Sequence, residues 1–351
     1  MIEIYQECCT LLQAGQPVVL ATVFEAKGSA PRVAGARMLV RLDGSICGTI
    51  GGGRLEHDAV QLARTLFDKA ESAIYTFDLT GSDVAGMDMI CGGKGEVWLH
   101  YFTGKAQEQS VCQAVLSALA SRQKAWLVTE ISGPVDGNGR QFALLDESDA
   151  VHGSLQLSPA LVREWTGKKD STAIFTEEYG GSRFLLEQIR PIRTVVVFGA
   201  GHVSQQVAPL CEKVGFRVMV LDDRVEYANP GRFTGETEIR VLDSFDDWAG
   251  LPIDAGCYIV ILTRGHIHDK TVLGLALRTS AGYIGMIGSR RKRNAIYARL
   301  MDKGIKEAQL EQVRCPIGMA IEADTPEEIA VSIVGELIYQ RATGRKAWHL
   351  S

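Results

Sequence analysis

This sequence of 351 residues has no excess of positive charge, no long apolar run and no C-x-x-C motif. Its 37 Lys and Arg are outnumbered by 42 Asp and Glu, for a formal net charge of −5. Such a chain has no general field to gather nucleic acid or an anionic membrane, so any phosphate recognition must be local and the ligand small. No apolar stretch approaches the ~20 residues that cross a bilayer. The opening MIEIYQECC lacks the basic start and apolar core of a secretory signal, so the expectation is a cytoplasmic protein away from membranes. Eight cysteines (Cys8, Cys9, Cys47, Cys91, Cys112, Cys211, Cys257 and Cys315) include no C-x-x-C pair. That spacing gives a zinc site no support, and in a reducing compartment the thiols are expected to stay free. No internal repeat or low-complexity segment is evident.

What is present is enough apolar material, 46% of residues, to fill more than one core. The pattern predicts two domains, residues 1–190 and 191–351, with 105–190 the part that says least about chemistry. In the first, a helix over about 2–14 leads into the strand VVLATVF. ARMLVRLDGSICGTIGGG then reads as two strands around Asp43-Gly44, and RLEHDAVQLARTLFDKA carries helical periodicity. The expected class is α/β: a mixed-sheet N-terminal domain and a C-terminal doubly wound parallel sheet of Rossmann type. The latter begins with TVVVF, a glycine turn, a helix to about Val214 and the strand RVMVLDD. CYIVILT and YIGMIG add buried strands. Thr325, Pro326 and Glu328 announce a last helix as N-cap, first residue and capping-box acid.

Several constellations carry possible chemistry. In FGAGHVSQQVA, Gly199 permits the tight turn, while Gly201 and His202 open a helix whose amides face a phosphate; Ser204 replaces the third glycine. Asp222 ends the second strand, where a carboxylate accepts from a ribose diol and favours NAD(H) over its 2′-phosphate; the alternative is a solvated turn with Asp223. TRGHIHD, after an apolar strand, is expected as a loop at the carboxyl edge of the sheet. There His266 and His268 either move protons or bind metal, or the loop is plain polar with Asp269 as a cap. GSRRKR, with Arg290, reads either as an anion clamp at a helix start or as a solvated face.

In the first half, Gly51, Gly52 and Gly53 precede a helix bearing Glu56 and His57. Their amides either wrap an anion or flat heterocycle or simply turn the chain. Arg32 and Arg37 lie near the same elements and can pair with a phosphate or with a carboxylate of the fold. Cys91, followed by Gly92 and Gly93, is either an accessible thiol able to ligate a soft metal or an inert packing residue.

GSAPRVAGARMLV, GTIGGGRLEHD, MICGG, VVVFGAGHVSQQVA, LTRGHIHD, GMIGSRRKR and CPIGMAIEADTPEEIAVSIVGELI, in this order, resemble the XdhC/CoxI family of xanthine dehydrogenase accessory proteins. The resemblance runs from about residue 10 to 343 and is loose over 105–190. It implies a maturation chaperone more than a catalyst: a carrier that binds molybdenum cofactor (molybdopterin), shelters it while a cysteine desulfurase adds the sulfido ligand, and hands it to an apo-molybdoenzyme. It also implies a role in cofactor binding for Cys91, as molybdenum ligand, and a homodimer. Arg54 departs from the small residue or cysteine many relatives carry there. A rival from another class is an NAD-dependent oxidoreductase with His266 as proton donor.

Overall fold

The computed structural model describes residues 1–30, 32–79, 93–121, 124–133, 140–168 and 173–343, without the side chains of Lys168 and His266. The chain divides into two compact units, Met1–Pro191 and Ile192–Ser351.

In the first unit α1 (Ile2–Gln13), β1 (Val18–Gly28), β2 (Arg37–Val40), β3 (Ile46–Thr49), α2 (Gly53–Lys69), β4 (Ala73–Asp78) and β5 (Gly93–Phe102) come first. Their strands form a sheet of order β3-β2-β1-β5-β4. After α3 (Ala106–Ala120) come β6 (Ala125–Ser132), β7 (Phe142–Asp146), β8 (Val151–Ser154), α4 (Pro159–Lys168), β9 (Ile174–Tyr179) and β10 (Ser182–Ile189). These give a second sheet of order β8-β7-β6-β10-β9. Neighbouring strands in both sheets run antiparallel, so the α/β class holds while the expected mixed sheet is instead two antiparallel ones, joined by hairpins and helices that return the chain to the opposite end.

The strand period of two decides what each face of β1 meets. Val19, Ala21 and Val23 pack on Leu55, Ala59, Ala63 and Leu66, which recur along one face of α2. The opposite face brings Phe24 together with Trp98, Ile131, Ile174 and Leu185 between the two sheets. Arg37 is buried there too: it forms an ion pair with Glu187 of β10, the two side chains being 3% and 7% exposed.

The second unit is doubly wound. β11 (Thr194–Phe198), α5 (His202–Lys213), β12 (Arg217–Asp222), β13 (Glu238–Val241), β14 (Cys257–Ile261), α6 (Gly265–Ala276), β15 (Tyr283–Met286), α7 (Arg290–Met301), α8 (Glu307–Leu310), β16 (Val313–Arg314) and α9 (Pro326–Thr343) follow one another. The sheet has the order β13-β12-β11-β14-β15-β16, and all five pairings are parallel. Val195 and Val197 of β11 face α5 and α9 through Val207, Ala208, Ile333 and Leu337. Val196 and Phe198 face α6 and α7 through Val272, Leu273, Ile296 and Leu300. Such runs, buried on both faces, are why these strands read as continuous apolar segments. The capping box of α9 is formed: the Glu328 amide donates to Thr325 Oγ1 at 3.2 Å, and the Thr325 amide to Glu328 Oε2 at 3.2 Å.

One expected loop is a helix. TRGHIHD turns helical from Gly265, placing His266 and His268 in the first turns of α6. The signal was hidden because Arg264, a residue without capping ability, stands at the N-cap and no side chain caps the helix.

Candidate functional site

The strand registers bring the N-terminal motifs to one end of the first sheet. Thr22, Arg37 and Thr49 lie in a row across β1, β2 and β3, and Gly93 of β5 stands opposite Gly28 beyond them. The turn after β3 and the start of β5 therefore share that end. Cys91 and Gly92, the thiol and glycine singled out in the sequence, lie outside the described residues.

The turn is built from three glycines with φ of 135°, 77° and 57° at Gly51, Gly52 and Gly53. Gly52, with ψ of −176°, occupies a region that essentially only glycine visits. Among the described residues, its chain neighbours aside, no atom lies within 4 Å of where its Cβ would stand, so conformation and not crowding demands glycine. The amides gathered by this turn already face an anion belonging to the chain. Glu56, in the first turn of α2, accepts at its Oε1 from the amides of Ile50 (3.0 Å), Gly51 (3.3 Å) and Gly52 (2.8 Å), and from the Thr49 hydroxyl. Burial works to raise this carboxyl, but the hydroxyl and the amides outweigh it and hold the group below the usual carboxylate range. His57 is exposed beside it. Of the alternatives open to these amides, the anion they face within the chain is an internal one, supplied by a residue only a few positions along.

Two other residues expected at this site have structural work here. A Cβ on Gly93 would come within 2.3 Å of the Ala30 amide nitrogen, so this glycine lets β5 cross the segment after β1. Arg37 projects between the sheets to Glu187; of the alternatives open to it, the carboxylate of the fold is the partner seen.

In the second unit, parallel registers put Gly199, Asp222, Arg264 and Ser289 at or just beyond the carboxyl ends of β11, β12, β14 and β15. The strand order reverses between β11 and β14, the position where open sheets of this kind leave a crevice. Gly199, with φ of 105°, is there for closeness as well as conformation: a Cβ would meet the Leu262 carbonyl oxygen at 2.4 Å. The buried Ser204 hydroxyl donates to the Gly199 carbonyl, a bond that a third glycine could not make. Gly201 is the N-cap of α5 and no side chain caps that helix; His202 follows it, exposed.

Asp222 does not present a free carboxylate to a ribose. It is 1% exposed. Its Oδ2 accepts from the Ala200 amide (2.8 Å) and Arg224 Nη2 (3.1 Å), and its Oδ1 from Arg224 Nε (2.9 Å) and the Arg224 amide (3.1 Å). Those bonds account for about the four lone-pair directions a carboxylate has. Burial pushes its pKa up, yet the Arg224 and Ala200 bonds prevail and keep it depressed. Beside it Arg264 grips Asp223 with two bonds of 2.8 and 2.9 Å, joining the N-cap of α6 to the end of β12. Sequence reasoning overlooked both arginines. Arg224 could have been found as a basic residue two positions after the acid, whereas Arg264 is brought to Asp223 by sheet topology alone.

The remaining motifs divide. Asp269 is no surface cap: fully buried within α6, it accepts from the Thr263 hydroxyl at 2.7 Å and forms an ion pair with Lys292 of α7. Arg293 donates to the Cys315 carbonyl at 3.2 Å. Of the basic run, Arg290 and Arg291 are exposed. His268 packs its ring 5.1 Å from that of Phe245. Among the described residues no cluster of three or more His, Cys, Asp or Glu is arranged to hold a metal ion, and no helix is long and apolar enough to cross a membrane.

Comparison with known proteins gives a consistent result. Residues 11–78 match the model of the XdhC and CoxI family, and residues 195–337 that of the XdhC Rossmann domain. A probable xanthine dehydrogenase subunit of Bacillus subtilis (strain 168) is 26% identical over 334 residues, 94% of this chain and 95% of that protein. The molybdenum cofactor insertion chaperone PaoD of Escherichia coli (strain K12) is 23% identical over 326 residues, 93% of this chain and 84% of the relative. A crystal structure described as a xanthine dehydrogenase from Bacillus halodurans superposes with a TM-score of 0.79 at 25% identity, covering 99% of this chain and 98% of that one.

Proposed function

Because the chain belongs to the XdhC and CoxI family, we propose that it is an accessory factor that holds molybdenum cofactor and delivers it to an apo-molybdoenzyme of the xanthine dehydrogenase class. The observation that carries this reading is likeness over nearly the full length, through both units, to a protein named as a molybdenum cofactor insertion chaperone. On this reading a cysteine desulfurase supplies the sulfido ligand, the carrier works in the cytoplasm as a homodimer, and the chain itself performs no turnover. The cofactor brings the molybdenum on which the client enzyme depends; this chain's residues hold and shelter it.

The proposed contacts are taken unit by unit. In the first, Gly51, Gly52 and Gly53 with Glu56 receive the pterin, and the Cys91-Gly92-Gly93 segment supplies the thiolate for the metal, a soft ligand suiting molybdenum. The open space over Gly52 and the fixed Glu56 carboxylate fit a flat, donor-bearing heterocycle. In the second, the uncapped amide end of α5 at Gly201 and His202 suits a phosphate, with Gly199 shaping the turn and His266 and exposed Arg290 at the same edge of the sheet. Asp222 serves there through Arg224 and the Ala200 amide, as a brace for the turn.

The oxidoreductase alternative is disfavoured by that same carboxylate, since a ribose diol would have to displace Arg224 from Asp222. The experiment is to incubate the full chain with free cofactor, remove unbound material, and measure molybdenum by elemental analysis and pterin by fluorescence. Bound cofactor that activates an apo-molybdoenzyme, and weaker retention in Cys91→Ala, are the expected results. A chain that retains neither molybdenum nor pterin, or that oxidises NADH with an aldehyde, would overturn the reading.

A further inference from the structure

The carboxylate in the Gly51–Gly53 turn has two oxygens with different employment. Oε1 takes all the bonds from Thr49, Ile50, Gly51 and Gly52. Oε2 accepts no hydrogen bond among the described residues and is not a buried unpartnered atom, and Glu56 as a whole is half-buried. The turn therefore grips one edge of the carboxylate and leaves the other unengaged by the described residues. An anion arriving here would find the amides occupied and a second negative charge in its way. A hydrogen-bond donor would find an acceptor that is ionised, held by backbone and already desolvated on one side, so little ordering remains to be done on binding.

We propose that Glu56 is the residue by which the N-terminal unit recognises its ligand, reading a donor edge of a nitrogen heterocycle through Oε2, and that this turn is not a phosphate site. This rests on the molybdenum cofactor reading and sharpens it. The aminopyrimidinone edge of a pterin carries such donors, an exocyclic amino group beside a ring N–H, whereas the phosphate of the same molecule carries none at neutral pH. Gly52 supports the assignment independently, since among the described residues no atom beyond its chain neighbours comes within 4 Å of its Cβ position, and a flat ring could lie against bare backbone. Thr49 is a positioning residue that acts through Oε1.

The test uses the full chain with two probes, unsubstituted pterin followed by its fluorescence and inorganic phosphate as competitor. Glu56→Gln keeps an oxygen for the amides but turns the outward atom from acceptor to donor. It is expected to weaken pterin binding about tenfold or more, the scale of one charge-assisted hydrogen bond, with phosphate failing to displace pterin from the wild type. Thr49→Val, a milder change, is expected to weaken it about threefold, so the idea stays testable if the first variant unfolds on heating. Pterin that does not bind the wild type, binds both variants as tightly as the wild type, or is displaced by phosphate would overturn the assignment. Failure here with cofactor still retained and delivered would sink only the role of Glu56; loss of cofactor retention by the wild type would sink the function itself.

Discussion

The turns at Gly51–Gly53 and Gly199–Gly201 both join a strand to a helix, and in both an amide is met by a carboxylate of the chain itself. They differ in what the glycines are for and in how the carboxylate is balanced. At Gly52 the backbone angles alone require glycine, with open space around it; at Gly199 a side chain would also strike the Leu262 carbonyl. Glu56 is held by amides and one hydroxyl through a single oxygen, the other having no partner among the described residues, whereas Asp222 is saturated and neutralised by Arg224. The same G-rich pattern thus sits beside a carboxylate held through one oxygen in the first unit and beside one fully engaged by the chain in the second. A glycine motif reports backbone geometry, and the nearest carboxylate decides what that geometry is available to do.

The sharpest way to break this contrast is by adding one methyl group to each turn. Gly199→Ala combines strain with a backbone clash and is expected to destabilise the C-terminal unit by about 4 kcal/mol, read by denaturant unfolding. Gly52→Ala should cost about 2 kcal/mol from conformation alone; equal losses at the two sites would contradict the distinction. Smaller again is Ser204→Ala, expected to lower stability by about 1 kcal/mol through loss of the bond to the Gly199 carbonyl. No loss would mean that the serine merely fills a glycine's place.

The gentlest probe is pH. Both carboxyls have depressed pKa values in the folded chain, so their contributions are complete above the ordinary carboxylate range near about pH 4 and are lost as the pH falls through the folded values. Unfolding followed downward from neutral pH should show a shallower decline for Glu56→Gln than for the wild type over that acid window. Identical slopes would show that the amides around Glu56 do not favour its charged form.

Much of the architecture could be read directly because it is local. The strand-length, β-branched run VVLATVF, the helical stripe of Leu55, Ala59, Ala63 and Leu66, and the Thr325–Glu328 cap each depend on neighbours within a few residues. The edge strands β13 and β16 escaped notice because they are short, of 4 and 2 residues, and carry little periodicity. The start of α6 escaped because it lacks a cap. For the site the division is similar: the glycine turns were visible, since positive φ leaves few residue choices, but the occupancy of their amides was not.

The sequence alone determined the α/β class, the two glycine turns and the family likeness, because helix and strand periods, caps and left-handed backbone positions are properties of short segments. Only the tertiary structure decided that Arg37 spends its charge on Glu187, that Arg264 binds Asp223, and that Asp269 is buried against Lys292. The physical reason is that pairing one charged group with another removes it from the list of free ligands, and the partners stand 150, 41 and 23 positions apart, brought together only when sheets and helices pack.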